Sequence, residues 1–401
     1  MAIAALNPVP QYKTGRILWI DYLRSFITVL VVAHHSSLAY TTFARASPAA
    51  YIRSSAPIVD IQRWVGLDIF ENFNDVFFMA LMFLIGGIFV VKALHKKGPS
   101  LFIRDRFYRL FLPFLIVICS LMLLAYYPAY RNMYPDGSLR GFLKEFISVE
   151  GWPPGPPWFI WILFLFNSIL ALFSRSGLVW LTKAATKLQG LKDKPFTVAL
   201  LFFLTAWILY VPASWFFGAY TWTGLGPLVF QKSRFFLYFG FFIIGCILGI
   251  PDPDTGLFSS GSTFVKKWPV WLAGCIFFYL LLISLEYFFP NGAGERVIGL
   301  WPSRFIYSSV YTLSTCFSCL AFLTVFKRFV THPVVIWNSL SDNAYCVYLV
   351  HYVFVLWCQY SLLDFPLPAI VKFGITFVLS IVCSWIVSIL LRKIPVVKAY
   401  I

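Results

Sequence analysis

Ten long apolar runs follow one another along this chain of 401 residues, and each is long enough to cross a bilayer as a helix. Hydrophobic residues make up 60% of the chain and charged residues only 12%, a balance that no soluble domain could bury. The runs lack the alternating segments of a membrane barrel. The sequence therefore predicts an all-α membrane protein, with one transmembrane domain over residues 1–401. The predicted spans are residues 17–41, 73–93, 107–127, 158–174, 196–213, 234–250, 268–289, 305–326, 340–358 and 368–391.

The distribution of lysine and arginine predicts the orientation of this bundle. Most of them lie before the first span and in every second loop after it, so the positive-inside rule places both termini in the cytoplasm. The net charge of +16 does not indicate nucleic-acid binding, because the basic residues are scattered through short loops between spans. The two long loops on the other side, residues 42–72 and 128–157, are predicted to shape a substrate site.

Arg24 and His35 lie in the first span, where both side chains are costly to bury in lipid. Ten residues separate them, so on a helix they share one face to within about 20° and differ in height by about 16 Å. The predicted orientation puts Arg24 toward the cytoplasm and His35 in the outer half. His34 points about 100° away from His35, which favours a structural role.

Further ionisable side chains are expected near the depth of His35. Asp75 and Glu71 open the second span, Glu286 lies near the outer end of the seventh, and His351 lies past the middle of the ninth. A carboxylate bonded to one imidazole nitrogen would leave the other nitrogen as a base. Asp75 and Glu286 are equally compatible with pairing to interfacial cations, and His351 with a hydrogen bond between helices.

Arginines gather at the opposite, cytoplasmic end. Arg106 and Arg109 open the third span beside Arg104, and together with Arg24 they form a candidate site for a phosphorylated ligand, because the planar guanidinium binds phosphate through paired hydrogen bonds. The alternatives are that they only anchor the helices at the membrane surface, or that Arg24 pairs with Asp21.

The eight cysteines all lie in apolar runs, which argues against a disulfide framework. Cys316 and Cys319 form a CxxC motif without a second pair or a nearby histidine. Packing of small buried side chains explains the pair better than a metal does, and we expect no metal site.

Five segments resemble the acyltransferase 3 family, whose members are integral membrane enzymes that O-acylate extracytoplasmic glycans. Arg24 and His35 fit its Arg-x10-His motif, and Arg106 and Arg109 fit its Arg-x-x-Arg motif before a proline. The matching segments are IDYLR (20–24), FNDVFFMALMFLIGGIFV (73–90), FIRDRFYRLFLPF (102–114), PPWFIWILF (156–164) and SLSDNAYCVYLVHY (339–352). Residues 35–40 are especially similar to the glucan biosynthesis protein C branch, which is associated with succinylation of periplasmic glucans.

The resemblance implies a multi-pass enzyme of the bacterial inner membrane that uses acyl-CoA, either acetyl-CoA or succinyl-CoA, as its donor, and a glycan as acceptor. The CoA phosphates would bind Arg24, Arg106 and Arg109. Two departures concern the acceptor: Gly86-Gly87 stands where Ser-Gly is usual, and Pro156-Pro157 precedes the fourth span where many relatives have His-Leu.

In the mechanism that this implies, His35 removes the proton from the acceptor hydroxyl, which then attacks the thioester. The sequence also allows a covalent acyl-imidazole route. Asp75, Glu71 or Glu286 would orient His35, and we favour Asp75; His351 or Asn74 would stabilise the oxyanion. The rival hypothesis is a proton-coupled transporter or flippase in which the same groups form a relay, but it predicts inverted repeats, which the sequence does not display.

Overall fold

The computed structural model describes residues 17–48, 51–148, 152–153, 155–252, 256–288 and 299–400. Helices dominate these residues, and a short antiparallel hairpin pairs β1 (Trp222–Leu225) with β2 (Leu228–Gln231). The helices are α1 (Leu18–Ser37), α2 (Val65–Ile88), α3 (Val90–Lys97), α4 (Pro99–Arg106), α5 (Leu112–Cys119), α6 (Leu121–Met133), α7 (Leu139–Ser148), α8 (Trp158–Leu172), α9 (Ser174–Gln189), α10 (Pro195–Phe217), α11 (Phe235–Gly249), α12 (Thr263–Lys266), α13 (Trp268–Phe288), α14 (Leu300–Phe329), α15 (Val335–Ser361), α16 (Ala369–Leu391) and α17 (Pro395–Tyr400).

This architecture confirms the prediction of an all-α membrane protein. Within the described part of the chain, six helical segments are long and apolar enough to cross a membrane, or up to seven if one bent pair counts as a span. Every predicted span falls on a helix, but α2 begins at Val65, eight residues earlier than expected. A π-helical turn at Phe107–Phe111 joins α4 to α5. The count of ten spans and the cytoplasmic termini stay predictions.

The spans differ in how deeply the protein buries them. In the segment containing α2, 72% of the apolar window is buried, and in α14 the share is 67%, whereas α16 and α13 reach only 22%. α2 and α14 therefore form the centre of the bundle, and the lipid-facing surface is carried by helices such as α13 and α16. α1 packs against α2, α14, α15 and α16, so most of its side chains lie inside the protein.

Small residues allow α2 and α11 to approach closely. Gly245 and Gly249 lie four residues apart on α11, against the backbone of Leu84 and Ile88 on α2. A β-carbon at either glycine would collide with a backbone oxygen, a contact that no side-chain rotation relieves. Gly87 makes the reciprocal contact with the α11 backbone at Phe242. The glycine pair is the small-xxx-small pattern by which membrane helices bring their backbones together.

The segment between α1 and α2 is held to the end of the bundle where α1 finishes. The amide of Asp60 donates to the carbonyl of Ala39 over 2.9 Å, and the amide of Trp64 donates to the carbonyl of Tyr40 over 3.0 Å. The Tyr40 hydroxyl lies 3.0 Å from that of Thr376 on α16. These bonds fix the backbone next to the C-terminal end of α1, where the histidines are located.

Candidate active site

One continuous helix, α1, carries both Arg24 and His35. Helical geometry therefore gives the pair the separation along the axis of about 16 Å that the sequence predicted. The side chain of Arg24 is 42% exposed, whereas His35 is partly buried among helices. The helix thus presents a cation near one end and an imidazole near the other.

The imidazole of His35 is oriented by its own helix. Its Nδ1 lies 2.8 Å from the carbonyl oxygen of Val31, one turn earlier. A carbonyl oxygen can only accept, so Nδ1 carries the proton in this bond and the lone pair of the neutral ring is on Nε2. This is the protonation pattern that a general base needs, and it arises without a carboxylate.

A second imidazole lies beside the first. The ring centroids of His35 and His351 are 5.3 Å apart, and Tyr352 packs edge-on against His35 at 5.4 Å. Nδ1 of His351 donates to the carbonyl of Tyr348 over 2.8 Å, while its Nε2 has no hydrogen-bond partner within the described ranges. His351 is fully buried. The structure thus brings together the two histidines that the sequence had placed at one depth.

Asp75 does not orient His35, contrary to our prediction. Its carboxylate pairs with Arg234, with Oδ2 2.7 Å from the guanidinium, and Arg234 is fully buried. The rings of Tyr220 and Tyr311 flank the same guanidinium at 5.4 and 5.1 Å. The preference for Asp75 is corrected, because a buried guanidinium holds the carboxylate that the imidazole was expected to use.

Glu71 faces the neighbouring histidine instead of His35. Its Oε1 lies 3.8 Å from Nε2 of His34, whose ring also contacts Phe78 at 5.1 Å. The rings of His34 and His35 are 5.1 Å apart and nearly perpendicular. His34, which the sequence favoured as structural, therefore has a carboxylate partner and direct contact with the candidate base.

Glu286 belongs to a separate polar cluster, which we call the outer ring and define by Asn72, Glu286, Tyr307 and Tyr220. The hydroxyl of Tyr307 donates to Glu286 over 2.7 Å, and the amide of Asn72 does so over 3.5 Å. The hydroxyl of Tyr220 lies 3.2 Å from that of Tyr307. The carboxylate of Glu286 is thus engaged by α2 and α14, so the contacts give it no part in orienting His35.

Three arginines were predicted to bind phosphate at the other end of α1, and each contacts a different side chain. Arg24 pairs with Asp21 at 3.2 Å, the alternative that the sequence had left open. The guanidinium of Arg106 stacks over the Phe102 ring at 4.9 Å. Arg109 is exposed and its Nε lies 3.2 Å from Asp105.

Helix α15 contacts both regions that carry these arginines. Ser341 hydrogen-bonds to Ser25 on α1 over 2.7 Å, and the hydroxyl of Tyr345, one turn later, donates to the carbonyl of Arg109 over 2.8 Å. The segments that carry Arg24 and Arg109 are therefore attached to a shared helix, although no direct contact between Arg24 and the other two arginines occurs among the described residues.

Two buried charges were not among the predicted site residues. Arg234 directly precedes α11, where a basic residue at the end of a membrane span is ordinary. Lys372 lies inside α16, and its Nζ is 2.6 Å from Oδ2 of Asp60, with both side chains fully buried. A lysine inside an apolar run is as costly as Arg24, so that signal was present in the sequence.

Comparison with known families supports the resemblance noted from the motifs. The family model of the acyltransferase 3 family, described as an acyltransferase domain, matches residues 17–389. This range runs from the start of α1 almost to the end of α16 and includes every candidate site residue. No curated protein and no solved structure gives a significant match. The glucan biosynthesis branch therefore stays a prediction.

Proposed function

The chain belongs to the acyltransferase 3 family, and from this premise we propose that it moves an acyl group from cytoplasmic acyl-CoA to a hydroxyl of an extracytoplasmic glycan. Family membership makes it an acyl-transferring membrane enzyme. The donor, the acceptor and the direction are our proposals, as is its location in a bacterial inner membrane. An acetyl or succinyl group is the acyl group we expect.

The observation that carries the proposal is the orientation of His35. Its Nδ1–H bond to Val31 leaves Nε2 as the basic nitrogen of a neutral ring. General-base catalysis requires this state before the acceptor hydroxyl can be deprotonated. The bond is made within α1, so any movement of α1 carries the imidazole and its orienting carbonyl together.

The reaction that we propose requires no reactant besides the donor and the acceptor. The acceptor oxygen forms a bond to the thioester carbonyl carbon while its proton passes to Nε2 of His35. The carbon–sulfur bond then breaks, and the same proton returns from His35 to the departing sulfur. The products are the ester and free CoA, so no external proton or electron is needed.

Two of the three arginines support a site for the donor phosphates at this end of α1. Arg24 and Arg109 are each half-exposed, and each holds only one carboxylate partner among the described contacts. A guanidinium can donate five hydrogen bonds in a planar fork, so both retain donors for a phosphate. The rise of about 16 Å along α1 then separates this end from His35 by a distance that suits a pantetheine arm.

The test is an assay of acyl transfer in proteoliposomes that contain the purified protein. Thiol release from acetyl-CoA or succinyl-CoA is measured with and without a glucan acceptor. His35→Gln should lower turnover by about 10²–10⁴-fold, the usual contribution of a general base. His332→Gln is the matched control, because that histidine is exposed. Near-wild-type turnover in His35→Gln would falsify the base assignment. Transport of a substrate without thiol release would show that the protein is a transporter and not an acyltransferase.

A further inference from the structure

An apolar groove of about 670 Å³ lies between α1, α2, α13 and α14. Its lining is almost wholly carbon, from Trp268 at the start of α13 to Ile69 in the first turns of α2. Three of its lining residues carry polar side-chain atoms, and two of them are already engaged: the Tyr279 hydroxyl donates to the carbonyl of Ile69 over 2.6 Å, and the thiol of Cys275 lies 3.2 Å from Ser318. The indole N–H of Trp268 is the remaining polar side-chain group of the lining, so the groove offers little hydrogen bonding to a polar ligand.

The groove runs along segments that cross the bilayer. α13, α14 and the segment containing α2 are each long and apolar enough to span it. A carbon-lined groove between such helices fits one chemical class of occupant, a flexible hydrocarbon chain. The lining residues Phe26 and Phe322 form an aromatic wall where α1 meets α14, with their ring centroids 5.8 Å apart.

One end of the groove leads to the outer ring. Asn72 lies on α2 between the lining residues Phe70 and Phe73, and its amide is the one that reaches Glu286. Glu286 follows Tyr279 on α13 by seven residues, which is about 10 Å of helix. Carbon surface and hydroxyl-binding groups thus follow each other along the same two helices.

We propose that this combined surface binds the acyl acceptor, and that the acceptor is a lipid-anchored molecule with a hydroxylated head. The hydrocarbon tail occupies the groove, and the outer ring holds hydroxyl groups of the head through carboxylate, amide and phenol contacts. The inference rests on the proposed function, because it specifies the acceptor class of the same reaction. A bulk phospholipid in the groove is the alternative that the experiment must separate.

The experiment compares two acceptors that differ only in their tails, methyl glucoside and dodecyl glucoside, with the protein in phosphatidylcholine nanodiscs. Leu272→Trp places a bulky ring in the groove, and Leu204→Trp places one on the exposed face of α10. The two leucines are similarly exposed, at 37% and 41%, so both variants should fold. Dodecyl glucoside partitions into the bilayer and is therefore concentrated near any membrane protein. For this reason the comparison between the two variants, and not the wild-type preference alone, tests the proposal.

We expect dodecyl glucoside to exceed methyl glucoside at least tenfold in kcat/KM in the wild type and in Leu204→Trp. Leu272→Trp should lose most of this preference while retaining its turnover of methyl glucoside. Equal preference in the two variants overturns the proposal and leaves the enzyme intact. If no acceptor is acylated and no thiol is released, the proposed function itself fails.

A second measurement needs no turnover. Dodecyl glucoside that carries a diazirine in its chain is photolysed with the protein, and labelled peptides are mapped by mass spectrometry. Labels within residues 268–280 that disappear in Leu272→Trp, but not in Leu204→Trp, support the site. Labels elsewhere contradict it, as does full competition by phosphatidylcholine at the same peptide, because a bulk lipid is then the occupant.

Discussion

Lys372 and Asp60 form an ion pair of 2.6 Å in which neither side chain is exposed. Asp60 belongs to the segment between α1 and α2, and Lys372 to the first turn of α16, which adjoins α1. The amide of Gln62 also donates to Asp60, and Lys372 donates to the carbonyl of Leu363. The pair therefore attaches the segment between α1 and α2 to the helix bundle beside the candidate active site.

Replacing Lys372 by Met should reduce the free energy of unfolding by about 3–5 kcal/mol, because it leaves a carboxylate buried without its cation. Thermal unfolding of the purified protein in detergent measures this loss. Asp60→Leu combined with Lys372→Met should recover a large part of it, since no charge is then left buried. A double variant that is less stable than either single variant would contradict this account.

The pair of Asp75 and Arg234 should respond asymmetrically to substitution. Arg234 is fully buried, while the side chain of Asp75 is 28% exposed. Asp75→Ala leaves a guanidinium that water does not reach, whereas Arg234→Met leaves a carboxylate that retains some hydration. We therefore expect the larger fall in melting temperature in Asp75→Ala, and the reverse order would show that the aromatic contacts of Arg234 dominate.

The donor site can be tested without turnover. Arg106→Gln together with Arg109→Gln should raise the Kd for acetyl-CoA on the order of tenfold or more, equivalent to about 1.4 kcal/mol or more. Isothermal titration with the protein in nanodiscs provides the measurement. Lys183→Gln with Lys187→Gln removes the same charge from the exposed face of α9 and serves as the control. Unchanged affinity in the arginine variant would retire the phosphate-binding hypothesis.

The close approach of α2 and α11 predicts a strict requirement for glycine. Gly249→Ala forces a β-carbon against the backbone of Ile88, so the helices must separate, at a cost of roughly 1–3 kcal/mol. Gly374→Ala is the matched control, because a β-carbon there meets nothing within 4 Å. Detergent-solubilised yield and melting temperature should fall only for Gly249→Ala. Equal falls at both positions would contradict the contact explanation, because helix propensity alone favours alanine at each.

Much of the site was predictable because it depends on intervals within one helix. The spacing of Arg24 and His35 follows from helical geometry alone, and α1 is continuous over both. The predicted depths of Glu286 and His351 came from counting residues along alternating spans. Such arguments give position along the membrane normal, and they say nothing about which faces meet.

The partners of the charged groups were not predictable for that reason. Asp75 and Glu71 lie one turn apart on α2, yet one pairs with Arg234 and the other faces His34. The choice depends on how α1, α2 and α11 rotate against one another, which the glycine contacts at Gly245 and Gly249 help to set. The spacing of residues along the chain does not specify that rotation.

The sequence by itself determined the membrane class, the helices and the family motifs, because hydrophobic length and helical periodicity are local properties of the chain. Only the tertiary structure decided that Val31 rather than Asp75 orients His35, that Arg234 and Lys372 are buried with carboxylates, and that a carbon-lined groove leads to Glu286. Side-chain pairing depends on distances of a few ångströms between helices, and packing sets these distances.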